Sequence, residues 1–238
     1  MLKGFVSWSG GKDSCLSCYK AKGIEVVYLL NMVTIDAKRS MTHGISSEVL
    51  RAQSECIGVP IIQKRTTWDT YEQNFKDILN ELKKRGVGAG IFGDIDLQEH
   101  RDWVERVCSA VGITSVLPLW GKKREEVLKE FMDSGFEAIL VAAKADLFGR
   151  EWLGRRVDKS FVRDLQKMDI DLCGENGEYH TFVTDGPMFK KRLKIMESEE
   201  VLRGDHRFFH ILKYRYEDKY EYENKHKHNG LKNARGKL

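Results

Sequence analysis

Ser9-Gly10-Gly11-Lys12-Asp13-Ser14 decides how the rest of the chain is read. The stretch follows the apolar pair Phe5-Val6 and precedes a helix expected over residues 12–22. Strand, glycine turn and helix start, in that order, make an anion site. The first N–H groups of a helix have no partner within it, and the helix dipole favours negative charge there. Gly10 and Gly11 allow φ > 0 and a close approach of backbone to ligand. Ser9 and Ser14 add hydroxyls, and Lys12 adds a positive charge. Asp13 would repel a bare phosphate but fits one bridged by a divalent cation. The residue set therefore points to a nucleotide phosphate with magnesium. A Walker loop is excluded by the short spacing from glycine to lysine, and a dinucleotide fingerprint by the lack of G-x-G-x-x-G.

Outward from this stretch, apolar runs and amphipathic runs alternate. Residues 3–7, 25–33, 59–63, 89–92, 113–117 and 137–142 read as strands, and 46–56, 70–85, 99–111 and 124–134 as helices. That alternation predicts an α/β fold: a Rossmann-like parallel sheet with helices on both faces, joined by right-handed crossovers. Ligands bind such sheets outside the carboxyl ends of the strands. The loops 9–14, 34–44, 66–69 and 93–96 should therefore lie together. They supply further candidates: Gly93 and Asp94 at a strand end for the phosphate and metal, His43 beside Gly44, and backbone groups near Val33 for adenine.

The chain of 238 residues fits one large domain or a domain with a smaller appended part. Forty basic and 36 acidic residues give a net charge of +4, mostly with interleaved signs, so nucleic acid is not the expected partner. No run is long enough to span a membrane and no signal peptide opens the chain, so a cytoplasmic location is expected. Five scattered cysteines make no disulfide framework. Cys15 and Cys18 have C-x-x-C spacing but lie within the expected first helix, where core-facing thiols are the better account.

The pattern changes near residue 143. The expected organisation is a nucleotide-binding unit over 1–143, a smaller α+β substrate-binding part over 144–216, and a charged tail over 217–238 carrying His226 and His228. The second part holds Cys173-Gly174-Glu175-Asn176-Gly177-Glu178-Tyr179-His180-Thr181-Phe182-Val183-Thr184-Asp185-Gly186-Pro187. A turn-rich hairpin with a strand at 179–183 is one reading. A substrate pocket is the other: Glu175 and Glu178 as carboxylates for a cation or ammonium, with Gly174, Gly177, His180, Thr181 and Asp185 around them.

Ser9-Gly10-Gly11-Lys12-Asp13-Ser14 resembles the signature of the N-type ATP pyrophosphatases, the PP-loop group within the adenine nucleotide alpha hydrolase-like folds. That resemblance implies ATP cleaved between its α and β phosphates, a substrate oxygen adenylated, and AMP then displaced by a nucleophile. Together with Gly93-Asp94-Ile95, Trp152-Leu153-Gly154-Arg155 and the 174–187 stretch, the chain up to about residue 201 resembles one branch, the diphthine–ammonia ligases, in the compact archaeal form. The resemblance implies ATP and Mg2+ as cofactors. It also implies translation elongation factor 2 as protein substrate and ammonium as nitrogen source, with AMP, pyrophosphate and the amide diphthamide as products. Ser9 to Ser14 would hold phosphate, Lys12 and Asp13 would act in catalysis, and Asp13 with Asp94 would hold the metal. Glu175 or Glu178 would handle ammonium or the trimethylammonium group of diphthine. Two alternatives stay open: a related enzyme acting on a tRNA base, and a non-catalytic ATP-binding module.

Overall fold

Phe5 and Val6 are both fully buried, on opposite faces of one strand. That strand, β1 (Leu2–Ser7), is the centre of a parallel sheet with β2 (Ile24–Val33), β3 (Ile61–Arg65), β4 (Ala89–Ile91) and β5 (Thr114–Val116), in the order β3-β2-β1-β4-β5. This computed structural model describes residues 1–219. The expected tail lies outside the described residues from 220 on, His226 and His228 included, while Glu217 and Asp218 close the last strand rather than open a tail.

Helices α3 (Tyr71–Lys84) and α4 (Gln98–Val111) cover the Phe5 face, packing Phe75, Leu79, Val104 and Val107 on Leu30 and Phe92. Helices α1 (Lys12–Lys20) and α2 (Ser47–Ile57) cover the Val6 face with Leu16, Val49 and Leu50. The apolar spacing of α3 forces this arrangement, because Phe75, Ile78, Leu79 and Leu82 are its buried positions and share one side. Ser46 caps α2 by accepting from the Glu48 N–H at 3.3 Å, and Gly58, at φ +81°, ends it. Each expected helix appears within two residues of its expected bounds, α1 ending at Lys20 rather than 22.

The strand expected at 137–142 needs a correction. As β6 (Glu137–Lys144) it leaves the parallel sheet and pairs antiparallel with β7 (Tyr179–Asp185) and β9 (His206–Asp218). With β8 (Lys191–Arg203) these form a second sheet in the order β7-β6-β9-β8. The strand expected in the first unit thus hydrogen-bonds to strands of the second. A run such as Ala138-Ile139-Leu140-Val141-Ala142 suits any central strand, parallel or antiparallel, so its pattern does not name its partner. The outer faces of α1 and α2 supply the reason for a second sheet. β7 packs on α1 and β8 on α2, and Phe182, Val183 and Leu193 join the same apolar cluster as Leu16 and Leu50. Among the described residues, no helix is long and apolar enough to cross a membrane.

In the first sheet the chain runs outward from β1 to β2 and β3, then returns to place β4 on the other side of β1. The carboxyl ends of β1 and β4 therefore flank a topological switch point, where a crevice opens. The loops leaving these two strands are 9–14 and 93–96.

Candidate active site

A cavity of about 450 Å³ occupies that crevice. Ser9, Lys12, Asp13 and Ser14 line it from the first loop, Ser40 to His43 from the second, Trp68 from the third, and Gly93 and Asp94 from the fourth. Gly174, Glu175, Gly177, His180 and Thr181 close it from the second part of the chain. The four strand-end loops and the 173–187 stretch thus meet in one place.

Gly10 has φ +79°, and a Cβ there would lie 2.5 Å from a Leu50 methyl carbon and 2.8 Å from Gln53 Oε1. Only glycine fits. Gly10 and Gly11 stay behind the cavity wall and shape it. Gln53, wholly buried on α2, ties the loop down: its Nε2 donates to the carbonyls of Gly10 (3.0 Å) and Val183 (2.7 Å), and its Oε1 accepts from Trp8 Nε1 (2.9 Å). β7 adds two more ties: the Val183 N–H donates to the Gly10 carbonyl at 2.9 Å, and the Lys12 N–H donates to Thr181 Oγ1 at 3.0 Å. On the cavity side, the Ser9 and Ser14 hydroxyls lie 3.2 Å apart. Gly93 lets β4 exit against this loop, since a Cβ there would sit 3.0 Å from the Asp13 carbonyl carbon.

Lys12 is buried, with Nζ 2.8 Å from Asp13 Oδ2, bonded to the Cys173 carbonyl and 5.4 Å from the Tyr179 ring centre. Burial alone would lower its pKa, but Asp13 and the other acidic groups around it outweigh that, so Lys12 stays charged. Burial raises the Asp13 carboxyl, against the pull of Lys12, and nearby Asp94 adds to the rise. Glu175 is pushed up to about 7, by burial first and then by Asp13 and Asp94, with Lys12 and Arg124 opposing. Three carboxyl groups thus share one cavity with one lysine. Asp94 Oδ1 also lies 3.2 Å from His100 Nδ1, a hydrogen bond that raises the His100 pKa.

Asp13 Oδ1 is buried and has no hydrogen-bond partner, which a cation would supply. Among the described residues no group of three or more His, Cys, Asp or Glu side chains is placed to hold a metal. Two carboxylates plus phosphate oxygens suit magnesium, which keeps waters and binds through one or two carboxylates with the substrate. Asp96 has another partner: its two oxygens accept from Arg124 at 2.9 Å.

The remaining expected residues divide. His43 and His180 stack in the cavity with ring centres 4.2 Å apart. Burial and each other's company hold His43 well below its usual pKa, and burial with Lys12 lowers His180 to about 4, so both are neutral at neutral pH. Val33 is buried in β2, opposite Arg65 of β3, and does not line the cavity. Asp185 sits at the end of β7, where Lys219 Nζ lies 2.9 Å away and the Gly186 N–H donates to it. Glu178 faces its own turn: its oxygens accept from the N–H groups of Asp171 (3.2 Å) and Asn176 (3.1 Å) and from Asn176 Nδ2 (3.1 Å). That carboxylate holds the loop that presents Glu175.

Other lining residues carried little sequence signal. Asn31 is buried in β2, donates to the Trp8 carbonyl at 2.7 Å, and leaves Oδ1 unpartnered. Trp68, 66% exposed, stacks on Tyr71 at 5.7 Å, and Trp103 is anchored through Nε1 to Glu72 at 3.1 Å. An apolar periodicity marks Tyr71 and Trp103 as helix-face residues, and nothing in it says that this face reaches a cavity. Cys173 is the cysteine lining the cavity, and burial pushes its thiol up to about 12. Cys15 and Cys18 pack in the core, their thiols likewise raised by burial.

Family models match most of the chain: the diphthamide synthase N-terminal domain over residues 2–115 and the diphthamide synthase C-terminal domain over 123–216. A diphthine–ammonia ligase from Danio rerio is 30% identical over 230 residues, covering 84% of this chain and 89% of the relative. One from Schizosaccharomyces pombe is 31% identical over 218 residues, 81% of this chain but 36% of that longer protein. A solved structure, of a predicted subunit of tRNA methyltransferase from Methanocaldococcus jannaschii, superposes with a TM-score of 0.44 at 15% identity, over 79% of this chain and 98% of that one. That likeness is distant, and the sheet order stands on this chain's own hydrogen bonds. With both domain models matched in order and nine-tenths of the Danio rerio protein covered, the chain belongs to the diphthine–ammonia ligase family.

Proposed function

We propose that this chain is an ATP-dependent ligase that converts the carboxylate of diphthine, on translation elongation factor 2, into the primary amide, using ammonium and releasing AMP and pyrophosphate. One observation carries the reading beyond family membership: Glu175 opens onto the same cavity as Lys12 and Asp13 of the phosphate loop. Activation and amidation then share one site. We place the reaction in the cytoplasm, with a protein rather than a nucleic acid as acceptor.

A carboxylate is a poor acyl donor, because its leaving group would be oxide. In the first step a diphthine carboxylate oxygen attacks the α-phosphorus of ATP and the bond to the β-phosphate oxygen breaks. Ser9, Ser14, the Lys12 side chain and the N–H groups of the first turn of α1 after that of Lys12 stabilise the charge that gathers on departing pyrophosphate. Asp13 and Asp94 would hold magnesium, which would further neutralise the phosphate oxygens. In the second step ammonia attacks the acyl carbon and the bond to AMP breaks. Ammonium has no free lone pair until it loses a proton. Glu175, with its pKa near 7, is the cavity carboxylate suited to take that proton at neutral pH. The neutral His43–His180 pair adds no charge that would repel ammonium. The raised Cys173 thiol disfavours the sulfur-transfer chemistry of a tRNA-thiolating relative.

The test is AMP and pyrophosphate release with magnesium and the diphthine-bearing factor, with and without ammonium, together with the mass of the factor. AMP formation that requires the factor, with conversion of acid to amide only when ammonium is present, is expected. ATP cleavage that ignores both would overturn the assignment.

A further inference from the structure

The loop between β2 and α2 has two sides. Ser40 to His43 face the cavity, while Ala37, Lys38, Arg39 and Ser46 line a separate groove of about 440 Å³, nearly as large as the cavity itself. Arg51 from α2, Arg203 from the end of β8 and His210 from β9 complete its basic lining, against one lining acid, Glu48. Among the described residues, Lys38, Arg39, Arg51 and Arg203 make no ion pair with a carboxylate. His210 lies 3.0 Å from Glu199, Glu48 accepts from Tyr214 at 3.4 Å, and nearby Asp36 accepts from Thr34 and from the Lys38 N–H. Basic side chains thus outnumber acids along the groove lining, and four of them have no carboxylate partner among the described residues.

A further observation points to a ligand. The groove lies at the N-terminus of the 11-residue helix α2, and Ser47 in its first turn is 2% exposed with a hydroxyl that has no partner. An anion would give that hydroxyl its missing acceptor, at a helix end whose dipole favours negative charge.

We propose that this groove docks an acidic segment of the protein substrate beside the cavity, a reading that rests on the substrate being a protein. The cations come from the loop, from α2 and from the end of β8, so several carboxylates of one segment would each find a positive partner. A nucleic-acid occupant is tested directly below by competition with an oligouridylate. Because one loop forms the groove with one side and the cavity with the other, a segment held here positions its neighbour over the phosphate loop.

The experiment pairs Arg51→Glu with Arg203→Glu in the full chain and measures two things. The first is binding of a fluorescein-labelled hexaglutamate peptide, with inorganic phosphate and an oligouridylate as competitors. The second is KM for the protein substrate, alongside KM for ATP. Peptide binding that weakens with salt and falls about tenfold in the double variant is expected, with a similar rise in KM for the protein and none for ATP. The Arg51→Gln, Arg203→Gln variant, which removes charge without reversing it, should fall between. Peptide binding that is absent, or equal in wild type and both variants, would overturn the proposal, as would tighter binding of oligouridylate or displacement by phosphate alone. Groove-dependent peptide binding without ligation would leave the groove standing and remove the ligase reading instead.

Discussion

The phosphate loop and the 173–185 segment meet in one cavity, yet they take their shapes from different sources. The loop is shaped locally: Gly10 turns it at φ +79° and Gly11 caps α1 in an extended conformation. The segment is shaped by side chains that accept from its own backbone. Asp171 takes the N–H groups of Cys173 and Gly174, and Glu178 takes those of Asp171 and Asn176. The two glutamates show what this difference does to chemistry. Glu178 is surrounded by donors and serves as scaffold, whereas Glu175, three residues earlier, faces two other carboxyls in the cavity and is pushed up to about 7. A carboxylate supplied with backbone donors holds structure, and one held among other acids becomes a proton acceptor.

That contrast can be broken most severely at the loop. Lys12→Ala removes the buried cation beside Asp13, and the rate of AMP formation should fall by about 10²–10³-fold, as for loss of one preorganised charge-stabilising group. Steady-state AMP release checks it, and a loss below about tenfold would detach Lys12 from the departing pyrophosphate.

Glu175→Gln should lower kcat by about 10²-fold and flatten the rise of rate through pH 7, because the deprotonated carboxylate is the active form. Stability should move the other way. The folded state raises this carboxyl from 4.5 to about 7, so between those values the native protein holds a proton that the unfolded chain has lost. Its contribution is therefore full below pH 4.5 and declines as pH climbs to about 7. The drop in Tm between pH 5 and pH 8 should be smaller in the variant than in the wild type.

Gln53→Ala tests the brace between the two regions. It leaves Trp8 Nε1 unpaired and removes donors to Gly10 and Val183, so a destabilisation of about 2–3 kcal/mol is expected in denaturant unfolding. The smallest effect belongs to Glu178→Gln, where an amide must turn a donor toward N–H groups that need acceptors. A loss of about 1–2 kcal/mol is expected, with the pH profile of the rate unmoved. If Glu178→Gln abolished the pH dependence and Glu175→Gln left it intact, the two assignments would exchange.

Much of this arrangement can be read from residues in order. Phe5 and Val6, apolar neighbours on one strand, imply two covered faces, and the structure covers both. Gly10-Gly11-Lys12-Asp13 before a helix implies an anion site, and Gly93-Asp94 after another strand implies a second wall. These signals are local, carried by backbone freedom and periodicity. The partner of β6 was not legible, because a doubly buried run pairs equally well with either sheet. Nor was Gln53, a lone amide on an amphipathic helix, whose three bonds reach residues 43 to 130 positions away.

The sequence by itself determined the order of strands and helices, the glycine turn at the first helix and the set of charged side chains available to a site. Those follow from φ/ψ preference and from which side of each element is apolar. Tertiary structure alone decided which charges meet: that Glu175 joins Asp13 and Asp94 while Glu178 turns to its own loop, and that cations of the β2–α2 loop, α2 and β8 share one groove. A pKa and a binding surface depend on separations through space, and the position of a residue along the chain does not specify them.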